Sequence, residues 1–233
     1  MTTSYFLPGL ATVIAYLIGS LSFAVLVSRA MGLNDPRTYG SGNPGATNVL
    51  RSGSKKAAIV TLLLDAAKGW LPVMLIKWFG APYGLGEGTQ ALVGLAAFLG
   101  HLWPVFFGFA GGKGVATAAG VLLAINVWLG LATLGTWLFI ALTLRYSSLA
   151  ALVAAAAAPV FAVLAWGKDG IVLAIGIISM ALIGKHWQNL QRLMAGSEPK
   201  IGGKKEALAS GVKPPRPVKS AKSGPATKST DSR

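Results

Sequence analysis

Cysteine is absent from the 233 residues, which excludes disulfides, thiol nucleophiles and thiolate metal sites together. Acid is scarce, with 7 Asp and Glu against 21 Lys and Arg, and charged residues make up only 12% of the chain. The 2 histidines, His101 and His186, have no convincing carboxylate partner in the sequence, so neither a metal nor another cofactor is expected. Polar sequence in the amount that a small soluble domain needs is also missing: 53% of residues are hydrophobic and the mean hydropathy is +0.60. The bilayer must serve as solvent for much of this surface. The formal charge of +14 would suit a nucleic-acid binder, but much of it lies near the C-terminal end and in short loops. It reads as membrane orientation plus a basic tail, for which association with anionic lipid headgroups and a merely solubilising role both fit, with no nucleic-acid partner.

Windows of roughly 20 apolar residues recur as far as His186, which predicts an all-α integral membrane protein of about seven transmembrane helices. The expected spans run over about 5–28, 57–79, 90–109, 115–130, 131–144, 148–166 and 170–187. The fourth and fifth are short and separated only around Asn126 to Gly130, so two tilted helices and a re-entrant pair both fit. No basic residue precedes the first apolar stretch and no cleavage site follows it, so it is expected to remain as a span. Arg37, Arg51, Lys55, Lys56, Lys113, Arg145, Lys185 and Arg192 fall in alternate connections. Retention of basic loops inside then predicts an external N-terminus and a cytoplasmic C-terminus. Residues 1–196 are expected to form one membrane domain. Residues 197–233, rich in Lys, Pro, Ser and Gly, are expected to be a disordered cytoplasmic tail.

Unusual polar sequence concentrates on that same predicted face. In Gly40–Arg51, glycines permit tight turns, Ser41, Asn43, Thr47 and Asn48 supply hydroxyl and amide donors, and Arg51 supplies a planar cation suited to phosphate. An anion site and an ordinary Gly/Asn/Ser loop both fit this composition. In Gly100–Thr117, an aromatic span runs into Gly111, Gly112, Lys113 and Gly114 just before a new helix. Loop amides, helix dipole and ammonium could there bind phosphate together. The segment is not a nucleotide P-loop, because Gly114 stands where Ser or Thr is required and no strand precedes it. Lys113 also fits the role of a simple orientation anchor. In Lys185–Leu193, His186 and Asn189 stand at helical i, i+3 spacing and can reach one ligand, an ordinary hydrogen-bonded interface histidine fits His186 equally well, and Arg192 is expected to point elsewhere. Asp65 and Lys68, also i, i+3, sit inside a span where unpaired charge is costly, so mutual neutralisation is expected, with support of the site as a second role. His101, among Pro104 and aromatics, reads as a packed histidine.

The strings GSGNPGATN, DAAKG, GHLWPVFFGFAGGKGVAT, RYSSL and HWQNLQRL, in that order, closely resemble the bacterial acyl-phosphate:glycerol-3-phosphate acyltransferase family of PlsY type. The resemblance covers nearly the whole chain from Ala15 to Glu198. It implies a helical membrane fold with a cytoplasmic-face active site. By position, Ser41 and Arg51 match the first motif, Lys113 with Gly111, Gly112 and Gly114 the second, and His186 with Asn189 the last. Ser148, in the RYSSL string, joins Asp65 and Lys68 as supporting residues. Ala110 stands where relatives often carry lysine, and Ala151 where some have a second serine, so roles at those positions do not transfer.

The implied reaction is attack by the sn-1 hydroxyl of glycerol 3-phosphate on the carbonyl of acyl phosphate, giving lysophosphatidic acid and phosphate at a bacterial inner membrane. The resemblance leaves His186 between hydrogen bonding and proton transfer. Acyl-CoA is the poorer donor, since the histidine-aspartate signature of acyl-CoA acyltransferases is absent: Phe106 follows His101 and Gln191 follows His186 at the fifth position. The competing class is a small transporter or channel for anionic or phosphorylated solutes. A carrier would place its polar groups near mid-membrane with access from both faces.

Overall fold

Apolar runs in a bilayer become helices because backbone N–H and C=O groups find no partner there except one another. The computed structural model describes residues 5–167 and 169–202, and among these the regular elements are all helical. In chain order they are α1 (Phe6–Gly19), α2 (Phe23–Ala30), α3 (Ala46–Val49), α4 (Lys55–Phe79), α5 (Glu87–Leu102), α6 (Val115–Ile125), α7 (Val127–Thr143), α8 (Ser147–Trp166), α9 (Gly170–Lys185) and α10 (Trp187–Met194).

Each expected span is helical, but length and bends sort them. Lys55–Phe79, Glu87–Phe107 and Ser147–Trp166 are each long and apolar enough to cross a membrane alone. The pair α1 and α2 passes only when joined across a 44° bend, and α9 with α10 across a 57° bend. The first expected span is therefore interrupted at Ser20–Ser22, and the last turns at His186. The third leaves the α-helical ladder at Leu102 and runs on to Phe107 through a single 3-10 turn, because Trp103 departs from the helical conformation and Pro104 cannot restore the ladder.

The boundary placed at residue 130 moves to Asn126. Its side chain accepts from the Trp128 and Leu129 N–H groups at 2.9 and 3.1 Å, which caps the start of α7. That leaves α6 with 11 residues, a length of about 16 Å. A hydrocarbon core is roughly 30 Å thick, so α6 does not cross by itself. Lys77 of α4 donates to the Ala124 and Ile125 carbonyls at 3.0 and 2.9 Å, satisfying the end of a helix that stops early.

Small residues bring the helices together where lipid supplies no hydrophobic drive. Gly120 of α6 rests on the Ala66 backbone of α4, where any β-carbon would collide. The core lies between α5, α6 and α9, with Phe98, Leu102, Val121 and Ile175 buried, and outward Leu63, Phe139, Leu164 and Met180 suit lipid.

Ser197–Gly202 belongs to the helical unit. The Ile201 N–H donates to the Arg145 carbonyl at 2.6 Å, and the Arg145 guanidinium donates back to the Ile201 carbonyl at 3.2 and 2.9 Å. The remainder of the expected tail, 203–233, lies outside the described residues.

Candidate active site

The last carbonyls of a helix have no intrahelical donor, and at the end of α5 their partners come from three directions. The Gly112 N–H donates to the His101 carbonyl at 3.2 Å, the Lys185 ammonium to Leu102 at 2.9 Å, and the Tyr16 hydroxyl to Trp103 at 2.7 Å. The first of these folds the segment after Pro104 back on α5, so that Gly111–Gly114 is held beneath the start of α6. Gly112 lies against the His101 imidazole and the Pro44 carbonyl, leaving no room for a β-carbon, and this contact joins the second polar segment to the first.

In the first segment Asn48 is buried and its side chain is committed to the loop. Its Nδ2 donates to the Pro36 and Tyr39 carbonyls at 2.6 and 3.1 Å, while Oδ1 accepts from the Ser41 N–H at 3.1 Å. The amide donors that the sequence offered to phosphate are thus used to shape the turn. Gly40, at φ +61°, lets the Arg51 side chain lie across it. Ser41 and Thr47 stay exposed at the rim, with Asn43 half-buried.

The third segment closes the site. Lys113 donates to the Asn189 Oδ1, and Asn189 Nδ2 donates to Glu198 Oε1 at 2.7 Å. Arg192 Nε donates to the other Glu198 oxygen at 2.7 Å. Arg192 therefore shares a partner with Asn189, which corrects the expectation that it points elsewhere. The break at His186 buries its ring and sets Nδ1 2.9 Å from the Leu182 carbonyl. A carbonyl only accepts, so Nδ1 carries the proton and Nε2 of the neutral ring is an acceptor. Ser148, buried at the start of α8, faces Glu198 without a well-aligned hydrogen bond.

Charge at this junction is predominantly positive. Burial, Arg192 and Arg51 all push the Lys113 pKa below the usual lysine range, and Glu198 offsets them only in part. Burial pushes the Glu198 carboxyl up, but contacts with Ser148, Asn189 and Arg192 outweigh it and hold the group below the ordinary glutamate value. Among the described residues Arg51 and Lys113 pair with no carboxylate. Two cations with unspent charge, beside loop amides and a helix N-terminus, form an environment for a dianion.

Asp65 and Lys68 do pair, at 2.8 Å and fully buried, as charge cost inside a span demands. They stand behind the glycine loop rather than within the cation cluster. Sequence reasoning missed Glu198, although a lone acid between Lys185 and Lys205 was a visible signal. It also found no carboxylate for either histidine. The fold places Asp65 Oδ1 3.6 Å from His101 Nδ1.

Residues 9–196 match a family described as glycerol-3-phosphate acyltransferase. A protein of that name from Albidiferax ferrireducens is 64% identical over 204 residues, covering 85% of this chain and 91% of the relative. Its namesake from Ralstonia pickettii is 65% identical, covering 86% and 99%. Crystal structures of PlsY, an integral membrane glycerol 3-phosphate acyltransferase, are similar as well. Its glycerol 3-phosphate form has a TM-score of 0.78 at 38% identity, covering 87% of this chain and 99% of PlsY. The lysophosphatidic acid form has a TM-score of 0.75 at 37% identity, covering 83% and 94%.

Proposed function

We propose, from the premise that this chain belongs to the glycerol-3-phosphate acyltransferase family, that it transfers an acyl group from acyl phosphate to the sn-1 hydroxyl of glycerol 3-phosphate. The observation that carries the reading is the meeting of Lys113, Asn189, Glu198 and Arg192 from segments far apart in sequence, with Arg51 and His186 beside them. Lys113 and Arg51 hold substrate phosphate, with Gly111, Gly112 and Gly114 bringing backbone amides close. Ser41, Asn43 and Thr47 line the rim, and Asn48 shapes the turn that presents them. Neutral His186 accepts a hydrogen bond from the sn-1 hydroxyl through Nε2, and Asn189 sets the position of the Lys113 ammonium.

The hydroxyl oxygen bonds to the acyl carbon, the bond from that carbon to the phosphate oxygen breaks, and the hydroxyl proton leaves on inorganic phosphate. The mixed anhydride is already activated, so alignment of two phosphorylated substrates contributes more than a strong protein base. Loop amides stabilise the oxyanion. The products are lysophosphatidic acid and phosphate. Purified protein should make both from acyl phosphate and glycerol 3-phosphate, and should release no phosphate when glycerol 3-phosphate is withheld. Efficient turnover with acyl-CoA as sole donor would overturn the donor assignment.

The basic connections further support a bacterial inner-membrane location with this site at the cytoplasmic face. Reporters fused after Val49 and after Arg192 should both register as cytoplasmic, and one near Glu87 as external. Opposite sides for the first two would refute that orientation.

A further inference from the structure

The catalytic scheme leaves one buried polar cluster unused. Asp65, Lys68 and His101 are 3%, 3% and 7% exposed, in a protein whose interior is otherwise largely apolar. A buried ion pair is poor evidence for stability, because apolar replacement of both partners is often neutral or stabilising, and such pairs persist where they specify an arrangement.

The arrangement here concerns the glycine loop, whose two flanks are both tied to residue 65. On the near side, Asp65 Oδ1 faces His101 Nδ1 at 3.6 Å, and the opposite edge of that imidazole, at Nε2, abuts Gly112. On the far side, the Thr117 hydroxyl in the first turns of α6 donates to the Asp65 carbonyl at 2.9 Å. Lys68 neutralises the carboxylate at 2.8 Å and donates to the Leu21 carbonyl at 2.7 Å, a group left without a helical donor by the break between α1 and α2. Lys113 is the next residue after Gly112, and its long side chain amplifies any shift of the backbone beneath it.

We propose that His101, oriented by Asp65, is a positioning residue for Lys113: its imidazole edge sets Gly112 and thereby the place where the ammonium meets substrate phosphate. At 3.6 Å the carboxylate lies just outside hydrogen-bond reach and acts on the ring electrostatically, favouring the tautomer with its proton on Nδ1, while Lys68 pairs with that carboxylate and shields it from lipid. This rests on the reading of Lys113 as a phosphate ligand.

The test compares steady-state kinetics and thermal stability of purified variants in detergent, with acyl phosphate as donor. His101→Leu should raise the KM for glycerol 3-phosphate about tenfold, a loss on the scale of one charge-assisted hydrogen bond, while kcat changes much less. His101→Gln, whose terminal amide reaches the region of Nε2, should recover most of that loss. The double variant Asp65→Asn/Lys68→Met should melt close to wild type yet show the same rise in KM, and adding His101→Leu to it should cost little more. Lys77→Met, at a backbone position about 14 Å farther along α4 than Lys68, should lower stability without moving KM. An unchanged KM in His101→Leu, or a KM that follows melting temperature across the set including Lys77→Met, would overturn the proposal. Wild-type protein inactive with acyl phosphate and glycerol 3-phosphate would instead overturn the functional reading beneath it.

Discussion

Lys113→Ala should raise the glycerol 3-phosphate requirement tenfold or more while membrane insertion stays normal. The substitution removes a charge-assisted hydrogen bond, worth roughly 1.5 to 3 kcal/mol, and tenfold corresponds to about 1.4 kcal/mol. If Lys113 served only to orient the chain, Arg51, Lys55, Lys56 and Lys185 would compensate and kinetics would hardly change. Lys113→Arg keeps the charge but must fit a planar fork beside Gly112, which is wedged between His101 and Pro44, and must replace the donor to Asn189. It should be nearly as damaging as alanine. Near-wild-type kinetics in both variants would refute phosphate binding by this residue.

The same lysine predicts an alkaline limit. Its ammonium is the binding form, and burial with neighbouring Arg192 and Arg51 lowers its pKa. In wild type, kcat/KM should therefore fall at a pH below the ordinary lysine range, as the proton is lost. The residual activity of Lys113→Arg should lack that limb, because a guanidinium stays charged throughout. Identical alkaline limbs in the two proteins would assign the titration elsewhere.

Glu198→Ala should be the second severe loss, on the order of a hundredfold in activity. The carboxylate accepts from Asn189 and Arg192 at 2.7 Å each. Its removal unties two charge-assisted bonds of roughly 1.5 to 3 kcal/mol apiece and leaves Arg192 unpaired near Lys113. Glu198→Gln retains an oxygen for Asn189 but loses the charge facing Arg192, so a smaller loss of about tenfold is expected. Because the folded-state pKa of Glu198 is depressed, its contribution is present above the unfolded carboxylate pKa and disappears as pH falls through the lower folded value. Acid inactivation of wild type should begin below the usual glutamate range. Alanine kinetics within a few-fold of wild type would remove Glu198 from the site.

The two predictions draw on different sources of information. Lys113 stood out in sequence because a lysine among glycines before a helix is a local pattern with a local meaning. His186 and Asn189 drew attention by their helical spacing, although the helix breaks at His186 and only Asn189 lies within α10, and the pairing of Asp65 with Lys68 was legible from the cost of charge inside an apolar span. Glu198 was overlooked because its meaning depends on a bend of 57° after α9 and on the grip between Ile201 and Arg145, which bring the chain back over the cluster. Asn48 and Ser41 looked equivalent as donors, yet burial commits the side chain of one to the loop and leaves the other exposed at the rim.

By itself the sequence determined the helical membrane class, the three polar segments and the family resemblance, since apolar run length, loop charge and motif strings are properties of neighbouring residues. The tertiary structure alone decided which partners those segments acquired. It placed Lys113 on Asn189 across 76 positions of chain, Asp65 behind His101, and the helix break at Asn126. Those choices depend on where separate helices end relative to one another, and on the need of each buried polar group to find its partner there.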